Sequence, residues 1–227
     1  MSSNSPTSAA NKVILKRKKS SLSEIKITVL GDRNVGKSAI VVRFLTKRYI
    51  IEYEHGIDNR YRHEILIDNE PVIFDILDIS SPSSSSIANF DASLCGSDIL
   101  LLVYSITDRP SFCYIRTLLR HIAQLKATST TSSSTIPLVA IVGNKNDLIH
   151  LRQVSSEEGE ILCTEYSELT TLFVGEVSAA EMLLHQMFVD LYKWVKKSKA
   201  AQKAIFTPSL LDRVVIGIKG STSNGSS

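Results

Sequence analysis

Residues 31–38 of this 227-residue chain read GDRNVGKS, which matches the pattern G-x-x-x-x-G-K-[ST], whose chemistry is phosphate binding. Gly36 lets backbone N–H groups converge on phosphate oxygens, and a helix beginning there would add the positive end of its dipole. The ammonium of Lys37 would neutralise the β- and γ-phosphates of a nucleotide. The hydroxyl of Ser38 would coordinate Mg²⁺, a hard cation that prefers oxygen ligands. The alternative is a glycine-rich turn that matches by chance.

Residues 144–147 read NKND and carry a second chemistry, the recognition of a base by a carboxylate. Asp147 can accept two hydrogen bonds from the N1–H and N2–H₂ groups of guanine. Adenine offers no such pair of donors, so a buried carboxylate would be left unpaired and would penalise ATP. We expect Asn144 and Lys145 to tie this segment to the phosphate loop and to cover the base, and the backbone N–H groups of residues 178–179 to reach the guanine oxygen. Standing alone, such a segment is more often a solvated turn.

The elements that must position these groups alternate between strands and helices. Asn69-Glu70 predicts a hairpin turn, Pro71 fits only the margin of the strand that follows, and Ser155 with Glu158 forms a capping box. Hydrophobic periodicity predicts strands at 25–31, 61–67, 72–78, 99–105, 138–143 and 172–178, and helices at 37–46, 111–126, 155–166 and 181–197. Two of the strands, 99–105 and 138–143, are continuous apolar runs, as in buried parallel strands. The alternation predicts an α/β fold with a mainly parallel central sheet.

Charge divides the chain into an acidic body and two basic ends. Residues 1–19 hold five basic residues and no acid, residues 193–227 hold seven basic residues and one acid, and residues 20–192 hold 14 basic and 22 acidic residues. A nucleic-acid-binding domain carries its basic stripe on the folded surface, so we expect no nucleic-acid partner. The three cysteines have no CxxC spacing, which argues against a disulfide scaffold or a zinc site.

Taken together, residues 31–38, Asp78, residues 144–147 and residues 176–179 (EVSA) resemble the nucleotide-binding motifs of Ras-like small GTPases. The similarity covers about residues 24–197. The stretches that most resemble one branch, that of the Ras-related oestrogen-regulated growth inhibitor and its Ras-like relatives, are 35–50, 105–112 and 152–160.

The resemblance implies a P-loop NTPase fold with a Ras-type six-stranded, mainly parallel sheet and helices on both faces. It implies GTP or GDP as the ligand and Mg²⁺ as the cofactor, with Mg²⁺ held by Ser38 and, through water, by Asp78. The ring of Tyr49 would pack against the base. The residues expected to bind the nucleotide are Gly31, Asp32, Arg33, Asn34, Val35, Gly36, Lys37, Ser38, Ala39, Tyr49, Asn144, Lys145, Asp147, Ser178 and Ala179. Lys37 would also act in catalysis.

The sequence departs from the family pattern where the hydrolytic machinery should lie. Arg33 and Asn34 occupy positions of the phosphate loop that usually tolerate little side chain. The Mg²⁺-binding threonine of the family falls at Gly56, the glycine that senses the γ-phosphate falls at Ser81, and the glutamine that orients water falls at Pro82. Phosphoryl transfer depends on positioning and charge stabilisation, so the loss of that glutamine matters directly.

Two hypotheses follow from these departures: a slow GTPase switch, or a guanine-nucleotide-binding scaffold with little or no hydrolysis. An ATP-using P-loop kinase is a third class, against which Asp147 argues. Arg33 could act in cis as an arginine finger, although we favour a simple pairing with phosphate or a nearby acid.

The ends of the chain bear on location rather than on activity. We expect a disordered basic tail at 1–23, the small-GTPase domain at 24–197 and a partly flexible tail at 198–227. Ser2 and a C-terminus without C-a-a-X predict no myristoyl or prenyl anchor. At most, residues 12–19 and 193–203 would make weak electrostatic contact with an anionic membrane. We therefore expect a cytoplasmic monomer, with nuclear entry possible, that meets effector or regulatory proteins at its switch regions.

Overall fold

A six-stranded sheet with the strand order β2-β3-β1-β4-β5-β6 lies at the centre of the protein. This computed structural model describes residues 23–46, 59–79, 96–128, 137–180 and 184–206. The strands are β1 (Ser23–Gly31), β2 (Asn59–Ile67), β3 (Glu70–Asp78), β4 (Ile99–Ser105), β5 (Leu138–Asn144) and β6 (Thr171–Glu176). The helices are α1 (Lys37–Thr46), α2 (Arg109–Thr128), α3 (Ser156–Glu165) and α4 (Leu184–Phe206).

The sheet is parallel except at one edge. β1 pairs in parallel with β3 and β4, and the pairs β4–β5 and β5–β6 are also parallel. Only β2 runs antiparallel, through its hairpin with β3. Every residue of β4 and β5 is buried, as their continuous apolar sequences predict for strands covered on both faces. The predicted α/β class and the six-stranded, mainly parallel sheet are confirmed.

Helices cover both faces of the sheet. On one face α1 and α4 pack over the strands, and the ring of Phe44 stacks on that of Phe188 with centroids 4.0 Å apart. On the other face α2 and α3 bury Leu119 and Leu162 against the opposite side chains of β4 and β5. The alternation of side chains along each strand supplies both cores.

The β2–β3 hairpin turns one residue earlier than the sequence suggested. Asp68 and Asn69 have φ angles of 52° and 62°, and β3 already begins at Glu70. Two consecutive left-handed residues make the two-residue turn whose twist matches the flanking strands, and Asp and Asn tolerate that conformation best after glycine. Pro71 is the second residue of β3, at the strand margin where its missing N–H costs least.

Other element ends also differ from the predicted ones, while each element's type is confirmed. β6 stops at Glu176 rather than at residue 178. The N–H of Val177 still bonds to β5, through the carbonyl of Gly143 at 2.7 Å, but the carbonyl of Val177 accepts from the N–H of Asn146 in the loop after β5 at 3.1 Å. The apolar periodicity predicted that this helix ends at residue 197, but α4 runs to Phe206. The predicted start of that helix, residues 181–183, lies outside the described residues. The capping box is present: Ser155 and Glu158 each accept a hydrogen bond from the other's backbone N–H.

The lysines of α4 face acidic partners on the body of the protein. The Nζ atoms of Lys193, Lys196 and Lys199 lie 3.8, 3.4 and 2.5 Å from carboxylate oxygens of Asp68, Glu70 and Asp98. Three of the seven basic residues counted in 193–227 therefore have carboxylate partners within the fold. Among the described helices, none combines the length and the apolar character that a membrane crossing requires.

Candidate functional site

The predicted site residues meet at the carboxyl edge of the parallel strands. The phosphate loop follows β1, Asp78 ends β3, residues 144–147 follow β5 and residues 177–180 follow β6. Carboxyl ends of neighbouring parallel strands lie at one edge of an open α/β sheet, where ligands bind in the crevice outside them. Segments more than 140 residues apart in sequence are thus neighbours in the fold.

Glycine is required at two positions of the phosphate loop. A Cβ on Gly31 would lie 2.1 Å from the carbonyl oxygen of Val103, and one on Gly36 would lie 2.3 Å from Nδ2 of Asn144. Gly36 also has a φ of 92°, and Asn34 adopts the left-handed conformation with a φ of 57°. The loop therefore passes close to the ends of β4 and β5, and its backbone turns as a phosphate-binding loop requires.

Lys37 lies folded over this loop. Its side chain is buried, and its Nζ atom donates hydrogen bonds to the carbonyls of Gly31 at 3.0 Å and Asp32 at 2.8 Å. α1 starts at Lys37, so Ser38 and Ala39 belong to its first turn, whose N–H groups have no acceptor within the helix. The ammonium and the helix N-terminus act on the same loop, an arrangement suited to an anion.

Asn144 joins the three loops through its buried amide. Its Nδ2 atom donates to the carbonyl of Val35 at 2.8 Å, and its Oδ1 atom accepts from the N–H of Ala179 at 3.2 Å. The residue is 1% exposed. The amide group thus connects the phosphate loop with the loop after β6, while its own backbone ends β5. This is the tie between loops that the sequence led us to expect of Asn144.

Asp147 is held by the loop opposite to it. The hydroxyl of Ser178 donates to its Oδ1 atom at 2.7 Å and accepts from the N–H of Ala180 at 3.0 Å. This hydrogen bond orients the carboxylate of Asp147, which can still accept hydrogen bonds from other donors. Lys145 has a φ of 68°, and this left-handed residue turns the chain from the end of β5 into the 3₁₀ helix Asn146–Leu151, whose first turn contains Asp147.

The residues expected to hold Mg²⁺ supply the oxygen ligands that the ion prefers. Asp78 is 1% exposed at the end of β3, in register with Val29 two residues before the phosphate loop. The N–H of Ile79 donates to the carbonyl of Val29 at 3.2 Å, which fixes the end of β3 beside that loop. Ser38 stands in the first turn of α1 and is partly exposed. A hydroxyl and a buried carboxylate fit a hard divalent cation.

The departures from the family pattern are only partly described. Arg33 is exposed, and its backbone N–H donates to Oδ1 of Asp32 at 2.7 Å. Tyr49, Gly56, Ser81 and Pro82 lie outside the described residues. Their predicted roles, in covering the base and in the loss of hydrolytic groups, therefore stay predictions.

Sequence reasoning missed an ion pair between the two base-side loops. Arg152 and Glu176 form a two-pronged pair, although 24 residues separate them in the chain. Each lies within five residues of a predicted base-side residue, Asp147 or Ser178. The sequence did show a basic residue shortly after residues 144–147 and an acidic residue at the start of residues 176–179. Their spacing in sequence gave no reason to pair them.

Comparisons with known proteins agree with this geometry. Residues 26–197 match the sequence pattern described as the Ras family. The chain is 39% identical over 180 residues to Ras-like protein family member 11B of Danio rerio, covering 74% of this chain and 70% of the relative. It is 35% identical over 179 residues to the Ras-related and estrogen-regulated growth inhibitor of Homo sapiens, covering 79% and 85%. It is 38% identical over 176 residues to the GTP-binding protein Rit1 of Mus musculus, covering 78% and 76%.

Proposed function

Because the chain belongs to the Ras family of small GTPases, which are GTP-binding signalling proteins, we propose that it binds GTP and GDP with Mg²⁺ and hydrolyses GTP slowly. The observation that carries the proposal is the buried amide of Asn144, which bonds to the phosphate loop through Val35 and to the loop after β6 through Ala179. A single side chain thereby sets the distance between the loop expected to hold the phosphates and the loop expected to reach the base.

Each part of the site then has a role toward the nucleotide. Lys37 and the N-terminus of α1 would hold the phosphates, and Ser38 with Asp78 would hold Mg²⁺, which when bound offsets the phosphate charge. Asp147, oriented by Ser178, would accept the two N–H donors of guanine. A nucleotide without that pair of donors would leave a carboxylate desolvated and unpaired, which supports guanine over adenine.

Slow hydrolysis is supported by the residue types at the catalytic positions. Pro82 has no side-chain group that can orient an attacking water, and Gly56 has no side-chain oxygen. A second candidate, a guanine-nucleotide-binding scaffold without hydrolysis, rests on the same two residues.

Single-turnover release of phosphate from protein-bound GTP separates the two candidates. Slow release over hours supports the GTPase, whereas complete retention of GTP supports the scaffold. Pro82→Gln should accelerate release, because it restores a water-orienting amide, and Pro82→Ala serves as the matched control. Equal rates for Pro82→Gln and Pro82→Ala would contradict the role given to this position.

The same assay decides the role of Arg33. We propose that its exposed guanidinium does not stabilise the transition state, so Arg33→Gly should leave the intrinsic rate within about twofold of the unsubstituted protein. A loss of about tenfold or more would instead make Arg33 an arginine finger in cis.

A further inference from the structure

A groove of about 370 Å³ lies between α4 and β6, at the edge of the sheet. Five apolar side chains line it: Leu172 and Val174 of β6, Val177 just after that strand, and Met187 and Leu191 of α4. Leu172 is 38% exposed although it is apolar. We infer that the segment that follows α4, residues 207–218, folds back along this helix and packs its own apolar side chains into the groove.

The polar side chains of the groove indicate what kind of segment it accepts. Nε2 of Gln186 donates to Oδ1 of Asp190 at 2.8 Å, so these two residues, one helical turn apart on α4, partly satisfy each other. Asp190 is exposed, and its carboxylate lies beside the apolar floor. An apolar segment with a basic residue at one end matches both the floor and this negative charge.

The sequence after α4 contains such a segment. Residues 213–219 read RVVIGIK. In an extended chain, Val214, Ile216 and Ile218 lie on the same side because they alternate at period two. Arg213 stands directly before them. Packing these three side chains against the groove removes apolar surface of both partners from water, which is the driving force for docking.

The chain is long enough to bring this segment to the groove. α4 ends at Phe206, and it rises about 22 Å from Leu191 to that end, at roughly 1.5 Å per residue. Pro208 cannot continue the helix, so the chain can reverse there. Residues 207–213 then span about 23 Å when extended at about 3.3 Å per residue. Val214 therefore reaches the level of Leu191, and Arg213 reaches that of the adjacent carboxylate.

The handedness of the fold favours the groove over the open edge of β6. α2 connects β4 to β5 and α3 connects β5 to β6 on one face of the sheet, whereas α4 lies on the other face. A further step in the same direction through α4, to a parallel strand beyond β6, would therefore have the opposite hand. Such connections are right-handed in about 98% of cases, which disfavours strand addition. A segment packed on the α4 side of the sheet requires no such crossover.

Trypsin cleavage after Arg213, followed by mass spectrometry in the 227-residue protein, tests the docking of this segment. Each rate is divided by that of a free peptide of residues 207–219 carrying the same substitution. We expect the unsubstituted protein to be cleaved about tenfold more slowly than its peptide, because trypsin cuts the undocked form. Ile216→Asp should remove this protection. Val215→Asp, on the other side of the extended segment, is the matched control and should keep it.

The groove is tested from its own side in the same assay. Leu172→Asp should also remove the protection, whereas Ile161→Asp, at a 55% exposed apolar position of α3, should not. Leu172→Asp combined with Ile216→Asp should give no further loss, because both substitutions break one contact. Thermal unfolding followed by circular dichroism checks that each variant is folded. Should Leu172→Asp fail to fold, the two variants within residues 207–218 still decide the question, since they leave the described fold unaltered.

Several results would overturn the inference. One is cleavage of the unsubstituted protein as fast as that of the peptide, and another is equal protection in Ile216→Asp and Val215→Asp. Protection that grows with protein concentration would assign the groove to the segment of a second copy. Protection that appears only with anionic vesicles would assign the segment to a membrane surface. None of these results bears on nucleotide binding, so the proposed function is tested separately.

Discussion

At the scale of single residues, Asn144 joins the loops of the site by hydrogen bonds. Its amide nitrogen donates to the phosphate loop, its amide oxygen accepts from Ala179, and its backbone carbonyl accepts from Ile106 at 3.0 Å. An aspartate of the same size could not donate to Val35, and a glutamine would not fit the 2.3 Å approach that already excludes a Cβ on Gly36. This buried position offers an acceptor, the carbonyl of Val35, and a donor, the N–H of Ala179. An amide side chain can satisfy both.

Asp147→Asn should remove the selectivity for guanine nucleotides. The amide loses one acceptor and gains a donor that faces the donors of guanine, so GDP should bind at least about 100-fold more weakly while ADP is less penalised. Competition between GDP and ADP for a fluorescent nucleotide measures the change. Asp190→Asn, on the exposed side of α4, is the control and should leave the preference unaltered. Unchanged selectivity in Asp147→Asn would refute base readout by this carboxylate.

Gly36→Ala should abolish nucleotide binding because two costs combine. The φ of 92° strains any residue with a Cβ by about 1 kcal/mol or more, and the new methyl would also lie 2.3 Å from Asn144. Gly175→Ala separates these costs, since its φ is 111° but no atom lies within 4 Å of its Cβ position. We expect Gly175→Ala to lower thermal stability while nucleotide binding, followed by fluorescence titration, persists. Full binding by Gly36→Ala would mean that the loop does not need this close approach.

At the scale of elements, much of the fold could be predicted from the sequence. Strand–helix alternation and the buried runs at β4 and β5 led directly to the parallel sheet, because those patterns reflect burial alone. Element ends were less predictable. β6 stops where the carbonyl of Val177 accepts from the N–H of Asn146 in the loop after β5, and the hairpin turns at Asp68 and Asn69, so both ends depend on partners distant in sequence or on backbone twist.

The candidate site divides in the same way. The phosphate loop and Asp147 could be read from local patterns, since phosphate and base chemistry demand fixed residue types at short spacing. The Arg152–Glu176 pair could not, because only the assembled sheet brings its members together. The same holds for the acidic partners of Lys193 and Lys199, which the charge count along the chain did not reveal.

The hydrogen bonds that Arg109 and the capping box of α3 make to Glu158 should make stability depend on pH. Glu158 accepts hydrogen bonds from Arg109 and from the backbone of Ser155, and these lower its pKa from 4.5 to about 2. Since the pKa is lower in the folded chain, the stabilisation is fully present above about pH 5 and is lost as the pH falls toward 2. The gap in unfolding free energy between the unsubstituted protein and Glu158→Gln, measured by urea denaturation, should therefore narrow over that range. Glu160→Gln, exposed on the same helix, is the control. A gap that stays constant from pH 7 to pH 3 would exclude this linkage.

At the scale of the whole molecule, the small net charge of +3 conceals an uneven distribution. The acidic body concentrates positive charge where a phosphate would lie, at Lys37 and the N-terminus of α1, and its acids also face the lysines of α4. An anion entering the site therefore meets a local field opposite in sign to that of the body. The Ras-family fold indicates a guanine nucleotide as the ligand, and this charge distribution agrees with the phosphates of such a ligand.

The nucleotide content of the purified 227-residue protein tests this conclusion most directly. Protein isolated in the presence of Mg²⁺ is denatured, and the released small molecules are separated by ion-exchange chromatography. We expect GDP or GTP in stoichiometric amount, or an empty protein that takes up GDP in strong preference to ADP. Bound adenine nucleotide, or an empty protein that takes up neither, would contradict it.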